Sequence, residues 1–171
     1  MTNHSTIYDK EGNLWVCGSN SDGQIGLNRE KNVIGFKCLL SDSSIISIES
    51  NINRTMIVKK NEDMYELWAT GENIACNIDI NSISYQRILI VPTLIMKSKN
   101  HLMIKTGGSH NIILETNAYG HKKVLGFGDN TYNQLGLGTF KNQLKLYPFT
   151  LSPNQMYDSQ IIMEDSLHLN I

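Results

Sequence analysis

Gly12-Asn13-Leu14-Trp15-Val16-Cys17-Gly18-Ser19-Asn20-Ser21-Asp22-Gly23-Gln24-Ile25-Gly26-Leu27 returns near the other end of the chain. There it reads Lys122-Lys123-Val124-Leu125-Gly126-Phe127-Gly128-Asp129-Asn130-Thr131-Tyr132-Asn133-Gln134-Leu135-Gly136-Leu137. Each copy is a short apolar run, a glycine, any residue and an asparagine, then Gln, Ile or Leu, and Gly. Between them, Tyr65-Glu66-Leu67-Trp68-Ala69-Thr70-Gly71-Glu72-Asn73 keeps the run, the glycine and the asparagine but loses the tail. The marker glycines Gly18, Gly71 and Gly128 are 53 and 57 residues apart. Self-similarity at a period of about fifty-five residues marks a repeat architecture.

A second block recurs in register with the first. Ile48 to Val58 lies under Ile104 to Leu114 at an offset of 56, and a partial third copy sets Ile162 under Ile104, His168 under His110 and Ile171 under Ile113 at an offset of 58. Leu14-Trp15-Val16-Cys17 and Met56-Ile57-Val58 are aromatic or β-branched runs bounded by Gly, Asn or charge, which is strand composition. Lys59 to Asp63 and Thr116 to His121 carry turn residues and link successive strands as hairpins. Each unit therefore reads as strand, hairpin, strand and a loop bearing the Asn…Gln-Ile/Leu-Gly tail. The stretch from Asn81 to Met96 is the least patterned. Within it, Tyr85 to Val91 reads as a strand stopped by Pro92, with a short helix before it as the alternative.

The expected fold is all-β: propeller blades of four-stranded antiparallel sheets, incomplete, as an open arc or partial propeller of about three units. The units are set at about 1–44, 45–100 and 101–160, with 161–171 opening a further one, all in a single domain. The chain thus starts on the second half of a unit and stops on the first half of another.

The residues carrying the repeat are Trp15, Gly18, Asn20, Gly23, Gln24, Gly26, Trp68, Gly71, Asn73, Gly107, Gly108, Gly126, Gly128, Asn130, Gln134, Leu135 and Gly136. Structural roles are expected for all of them. The glycines supply positive φ or close backbone approach. Asn20 and Asn130 bond their own backbone, and the Gln amides satisfy loop groups. Trp15, Trp68 and Phe127 are expected in the packing between blades, and the lysine pairs Lys59-Lys60, Lys97 to Lys99 and Lys122-Lys123 on solvated loops.

Composition removes several classes of function. Of the 171 residues, 40% are hydrophobic and 18% charged, with a net charge of −1, so most of the chain can fold around a core. That balance lacks the positive field of a nucleic-acid or anionic-membrane binder. No apolar run reaches the ~18 residues that span a bilayer, and Met1 to Ser5 has no secretory pattern. Cys17, Cys38 and Cys76 are odd in number and irregular in spacing, matching neither a disulfide framework nor a zinc site. An intracellular location, cytoplasmic or nuclear, with no metal and no cofactor, is the expectation. Ile and Asn are abundant and the only arginines are Arg29, Arg54 and Arg87. AT-rich coding genomes, such as those of some protists and viruses, produce that bias.

Gly12 to Leu27 and Val124 to Gly138, with Gly107-Gly108-Ser109-His110 as a second element, resemble the regulator of chromosome condensation repeat family. Its pattern is Gly-x-Leu/Val-Trp/Tyr-x-Trp/Phe-Gly-x-Asn-x-x-Gly-Gln-Leu-Gly, followed some thirty residues on by Gly-x-x-His. The resemblance implies a propeller whose members bind proteins, small GTPases among them, or chromatin. This chain departs from it in the lost tail after Asn73, in Asn51 to Arg54, which lack both Gly and His, and in having only about three units. Kelch repeats share the period and the double glycine, but their Tyr and Trp are not in place.

No hydrolase, metalloprotease or phosphate-loop motif is present, and the adjacent carboxylates Glu62-Asp63 and Glu164-Asp165 cannot converge on one substrate from a strand. The reading is a non-catalytic protein–protein interaction module. Its partner is another protein, a second copy through open edges being one form of this. The alternative is a guanine-nucleotide exchange factor or binding regulator of a small GTPase, which the resemblance alone implies. His110, Asn111 and His168 are the candidate partner-binding residues.

Overall fold

The computed structural model describes residues 3–73 and 88–149. They form eleven strands and, among the described residues, no helix. The strands are β1 (His4–Tyr8), β2 (Asn13–Ser19), β3 (Asn32–Ser41), β4 (Ile45–Ser50), β5 (Arg54–Asn61), β6 (Met64–Glu72), β7 (Ile88–Ser98), β8 (His101–Thr106), β9 (His110–Thr116), β10 (Lys122–Gly128) and β11 (Gln143–Phe149). They pair antiparallel, each with its neighbour in sequence, into three sheets: β1-β2-β3, β4-β5-β6-β7 and β8-β9-β10-β11. The fold is a partial propeller, with three blades and no closed barrel among the described residues. The first sheet departs from the expected four strands. Its β1 matches β5 and β9, and the described residues hold no counterpart of β4 or β8 in front of it.

Alternation along the middle strands builds the core. Side chains of a strand point to opposite faces in turn, and a strand covered on both faces is apolar throughout. In β5, Met56 and Val58 join Leu67 and Ala69 of β6 in a cluster with Leu102, Ile104, Ile113, Leu125 and Phe127 of the third sheet. Ile57 points the other way and joins Leu14, Val16 and Val33 of the first sheet, with Trp68 packed against that cluster. The second sheet is therefore the shared wall of two cores.

Polar contacts add to the first junction. His4, Thr6 and Tyr8 alternate along β1 and face the second sheet. His4 Nε2 lies 3.2 Å from Thr55 Oγ1, Thr6 Oγ1 lies 3.2 Å from Ser50 Oγ, and Tyr8 donates to the Ile45 carbonyl at 2.5 Å. Burial pushes the His4 imidazole below its ordinary 6.5. The folded chain thus keeps His4 neutral where the unfolded chain protonates it. Its contribution is complete above about pH 6.5 and is lost as the pH falls through that value and through the lower folded one. Denaturant midpoints taken at about pH 7.5 and 5.5 should fall more for the native chain than for His4→Gln, which has no proton to gain. Equal slopes would show that His4 does not report the junction.

Three expectations are corrected. Pro92 does not stop a strand; β7 runs through it. It is tolerated because β7 is an edge strand and Pro92 falls in a bulge, where no ladder donor is needed. Lys59 is not a solvated loop residue: it lies buried in β5, 2.9 Å from Asp42 Oδ2 and 4.7 Å from the centre of the Trp68 ring. Lys60, Lys97, Lys122 and Lys123 likewise belong to strands, and Lys97 pairs with Glu66 at 2.7 Å. Bonds from Ser44 first, and then Lys59, hold the Asp42 carboxyl down at about 2.

Trp15 is the third correction. It is half-buried and belongs to neither core cluster, because its face of the first sheet has no described sheet in front of it. Its indole instead donates to Asp9 Oδ2 at 2.9 Å. Trp15→Ala should cost about 1–2 kcal/mol, short of the ~3–5 of a fully enclosed aromatic. A urea melt showing the larger loss would mean that something covers this face in solution.

Candidate functional site

His110 and Asn111 open β9 at the inner end of the third sheet. The turn before them is closed by the Gly107 N–H donating to the His110 carbonyl at 2.9 Å. The imidazole lies over that turn: a Cβ on Gly107 would meet His110 Cε1 at 2.3 Å. Asn111 is completely buried, so its side chain presents nothing at the surface. In the second sheet Asn51 takes the Gly107 position and closes the same turn, its N–H donating to the Arg54 carbonyl at 3.0 Å. The Asn51 side chain accepts from the N–H groups of Asn53 and Arg54 and donates to the Gly107 carbonyl, strapping one turn to the next. The His110 ring thus packs on its own turn and Asn111 is buried, while His168 lies outside the described residues.

The repeat tail forms a second structure, a loop after β2 in the first sheet and after β10 in the third. In the first sheet, Asn20 Oδ1 accepts from the Ile25 N–H at 3.1 Å, and its amide donates to the carbonyls of Asn28 and Glu30. Gln24 Oε1 accepts from the Asp22 N–H at 2.9 Å. In the third sheet, Asn130 Oδ1 accepts from the Leu135 N–H at 2.9 Å, and Gln134 Oε1 from the Tyr132 N–H at 2.8 Å. Asn20, Gln24, Ile25, Asn130 and Leu135 are buried. Trp68, Gly71 and Asn73 sit in or just beyond β6, where the shorter repeat keeps only the marker.

The first of these loops is docked. Its Gly23 carbonyl lies 2.6 Å from the Thr70 hydroxyl, its Gln24 carbonyl accepts from Thr55 at 2.7 Å, and the Asn28 N–H donates to the Ile90 carbonyl at 2.8 Å. Gly23 and Gly26 fit so closely that a Cβ would meet Leu89 O at 2.8 Å and Pro92 Cδ at 3.1 Å respectively. What receives the loop is a bulge in the outer strand. Ala69 pairs with Thr93 and Gly71 with Leu89, so Ile90, Val91 and Pro92 stand opposite Thr70 alone. The same three-against-one bulge sets Ile34, Gly35 and Phe36 opposite Cys17 in the first sheet, and residues 144–146 opposite Phe127 in the third. Nothing in the sequence marks these bulges, because they are properties of paired strands.

Several large apolar side chains stay in solvent: Ile34 at 97% exposure, Tyr119 at 87%, Tyr132 at 86% and Phe140 at 72%. Ile34 is in the first sheet's bulge, Tyr132 and Phe140 on the third sheet's loop, and Tyr119 on the β9–β10 turn. A hollow lined by Lys60, Glu62, Asp63, Tyr65 and Lys99 is open and mixed in charge. Among the described residues, no three His, Cys, Asp or Glu side chains group as metal ligands, and no helix is long and apolar enough to cross a membrane.

No family model matches the chain, and no curated protein matches it. Among solved structures, human WBSCR16 is similar over 87% of this chain and 51% of its own, with a TM-score of 0.53 and 14% sequence identity. The chain spans about half the length of that protein. At this identity the likeness is one of fold, and it joins the three sheets and their recurring bulge as evidence for a propeller arrangement.

Proposed function

We propose that the chain is a non-catalytic protein–protein interaction module of the regulator of chromosome condensation type. One observation carries this. The recurrent polar residues are consumed by internal bonds, whereas the most exposed large apolar side chains, Ile34, Tyr119, Tyr132 and Phe140, stand at non-signature positions on a strand bulge, a turn and a loop. Apolar side chains left in solvent on irregular segments are what a protein partner covers. The resemblance of Gly12 to Leu27 and Val124 to Gly138 supports the family part of the reading.

Capture from a lysate of source cells tests it, comparing the native chain with a Tyr119→Lys, Tyr132→Lys, Phe140→Lys variant. The native chain should retain at least one protein that the variant releases. Equal retention by both would remove the support from these side chains. Acceleration of nucleotide release from a small GTPase by the chain alone would replace the reading with the regulatory one.

A further inference from the structure

We infer that a second copy of this chain docks head to tail on the first, its third-sheet loop seated on the first sheet's bulge. The inference rests on the interaction-module reading and names the partner and the surface.

The chain contains this junction once already. Inside it, the loop after Asn20 seats on the second sheet at Thr70, Leu89, Ile90 and Pro92. The third sheet carries an equivalent loop with no seat beneath it among the described residues. Gly136, in the place of Gly26, has no heavy atom within 4 Å of where its Cβ would be, and Tyr132 and Phe140 on the same loop are 86% and 72% exposed. The first sheet carries an equivalent seat with no loop on it among the described residues. Gly18 pairs with Val33 as Gly71 pairs with Leu89, and Val16 with Lys37 as Ala69 with Thr93. Ile34 therefore stands where Ile90 does, Phe36 where Pro92 does, and Cys17 where Thr70 does. Ile34 is the most exposed of the large apolar side chains, and Phe36 is half-exposed.

Loop and seat are thus the two halves of a contact whose geometry the fold has solved internally through backbone and hydroxyl bonds, and here large apolar side chains flank both halves, Ile34 and Phe36 on the seat and Tyr132 and Phe140 on the loop. Repetition supplies the complementarity, because a surface that fits the next unit in the chain fits the same unit of another copy. Heterologous contacts of this kind close into rings when the rotation allows and extend otherwise. Ile7 of β1 is exposed and Trp15 beside it half-buried. Both lie on the first sheet's uncovered face, which the same docking would cover.

Sedimentation of the full chain from about 1 to 100 µM, the range in which modest interfaces dissociate, tests this with two variants. Ile34→Glu alters the seat and Phe140→Glu the loop. Both side chains are exposed, so thermal melts should match the native chain. The native chain should form dimers or longer head-to-tail species, and each variant should raise the dissociation constant at least ~10-fold. An equimolar mixture of the two variants should associate more strongly than either alone, because one native seat and one native loop remain to meet. A chain that is monomeric throughout, or a dimer indifferent to both substitutions, overturns the proposal. A monomer that still retains a cellular protein overturns the second copy alone; one that retains nothing overturns the interaction-module reading as well.

Discussion

Gly71→Ala is expected to destabilise the chain by about 3–5 kcal/mol, as left-handed backbone strain and overpacking add at one position. Gly71 has φ = 110° and faces the turn that precedes β5. A Cβ there would lie 2.2 Å from the Asn53 carbonyl oxygen and 2.6 Å from Arg54 Cα. Both are backbone atoms, so no rotamer change relieves the clash. The Asn53 carbonyl also accepts from the Glu72 N–H at 2.8 Å, which fixes the two segments against each other. Any retreat moves β5 relative to β6, and those strands carry side chains into both cores. Gly120 supplies the control. It has φ = 80° with nothing within 4 Å, so Gly120→Ala should lose only the ~1–2 kcal/mol of left-handed strain. Urea melts of the two variants decide the matter. Equal losses would mean that the close approach at Gly71 contributes nothing.

The marker glycines were legible because a backbone constraint leaves a residue-type trace. Gly18, Gly71 and Gly128 all have φ above 100°, and the N–H of the residue after each donates to the turn before the preceding strand at 2.8 Å. Asn20, Gln24, Asn130 and Gln134 were legible for a similar reason, since few side chains bond a loop's own backbone in that geometry. The outer strands were not. β3, β7 and β11 are edge strands, and a three-residue bulge resets the alternation of each midway. Pro92 then looked like a terminator when it occupies the one place in a sheet where proline does no harm. Trp15 and Trp68 hold equivalent positions, yet only Trp68 packs against a core cluster. Their difference lies in what stands in front of each sheet, which local sequence does not record. The exposure of Tyr132 and Phe140 leaves no such trace, because it depends on what stands beside the loop and not on the residues within it.

Asn20→Ala should cost about 2–4 kcal/mol, and more than the equivalent Asn130→Ala by at least ~1 kcal/mol, because a buried amide N–H loses its acceptor in both but, among the described residues, only the first loop docks on a neighbouring sheet. Asn20 holds three groups of its loop at once: the buried Ile25 N–H and the carbonyls of Asn28 and Glu30. The two carbonyls belong to exposed residues and can turn to water, whereas the Ile25 N–H cannot without opening the loop. Opening it withdraws Ile25, fully buried, from the core between the first and second sheets. It also strips the Thr55 and Thr70 hydroxyls of the Gln24 and Gly23 carbonyls they meet. Damage at Asn20 therefore spreads into the second sheet. Asn130 makes the matching bonds, to the Leu135 N–H and the Thr139 carbonyl, but a Cβ on Gly136 of its loop would meet no atom within 4 Å, where one on Gly26 would meet Pro92. Losing Asn130 should loosen that loop and leave the sheets in register. Hydrogen exchange separates the two outcomes. Asn20→Ala should lower protection at Ile25 and at the amides of β6 together, whereas Asn130→Ala should lower it at Leu135 with β9 and β10 little changed. If the two variants lose the same stability, the docking of the first loop is not what makes Asn20 matter. If exchange in β6 is unchanged by Asn20→Ala, the junction between the first and second sheets does not depend on this loop.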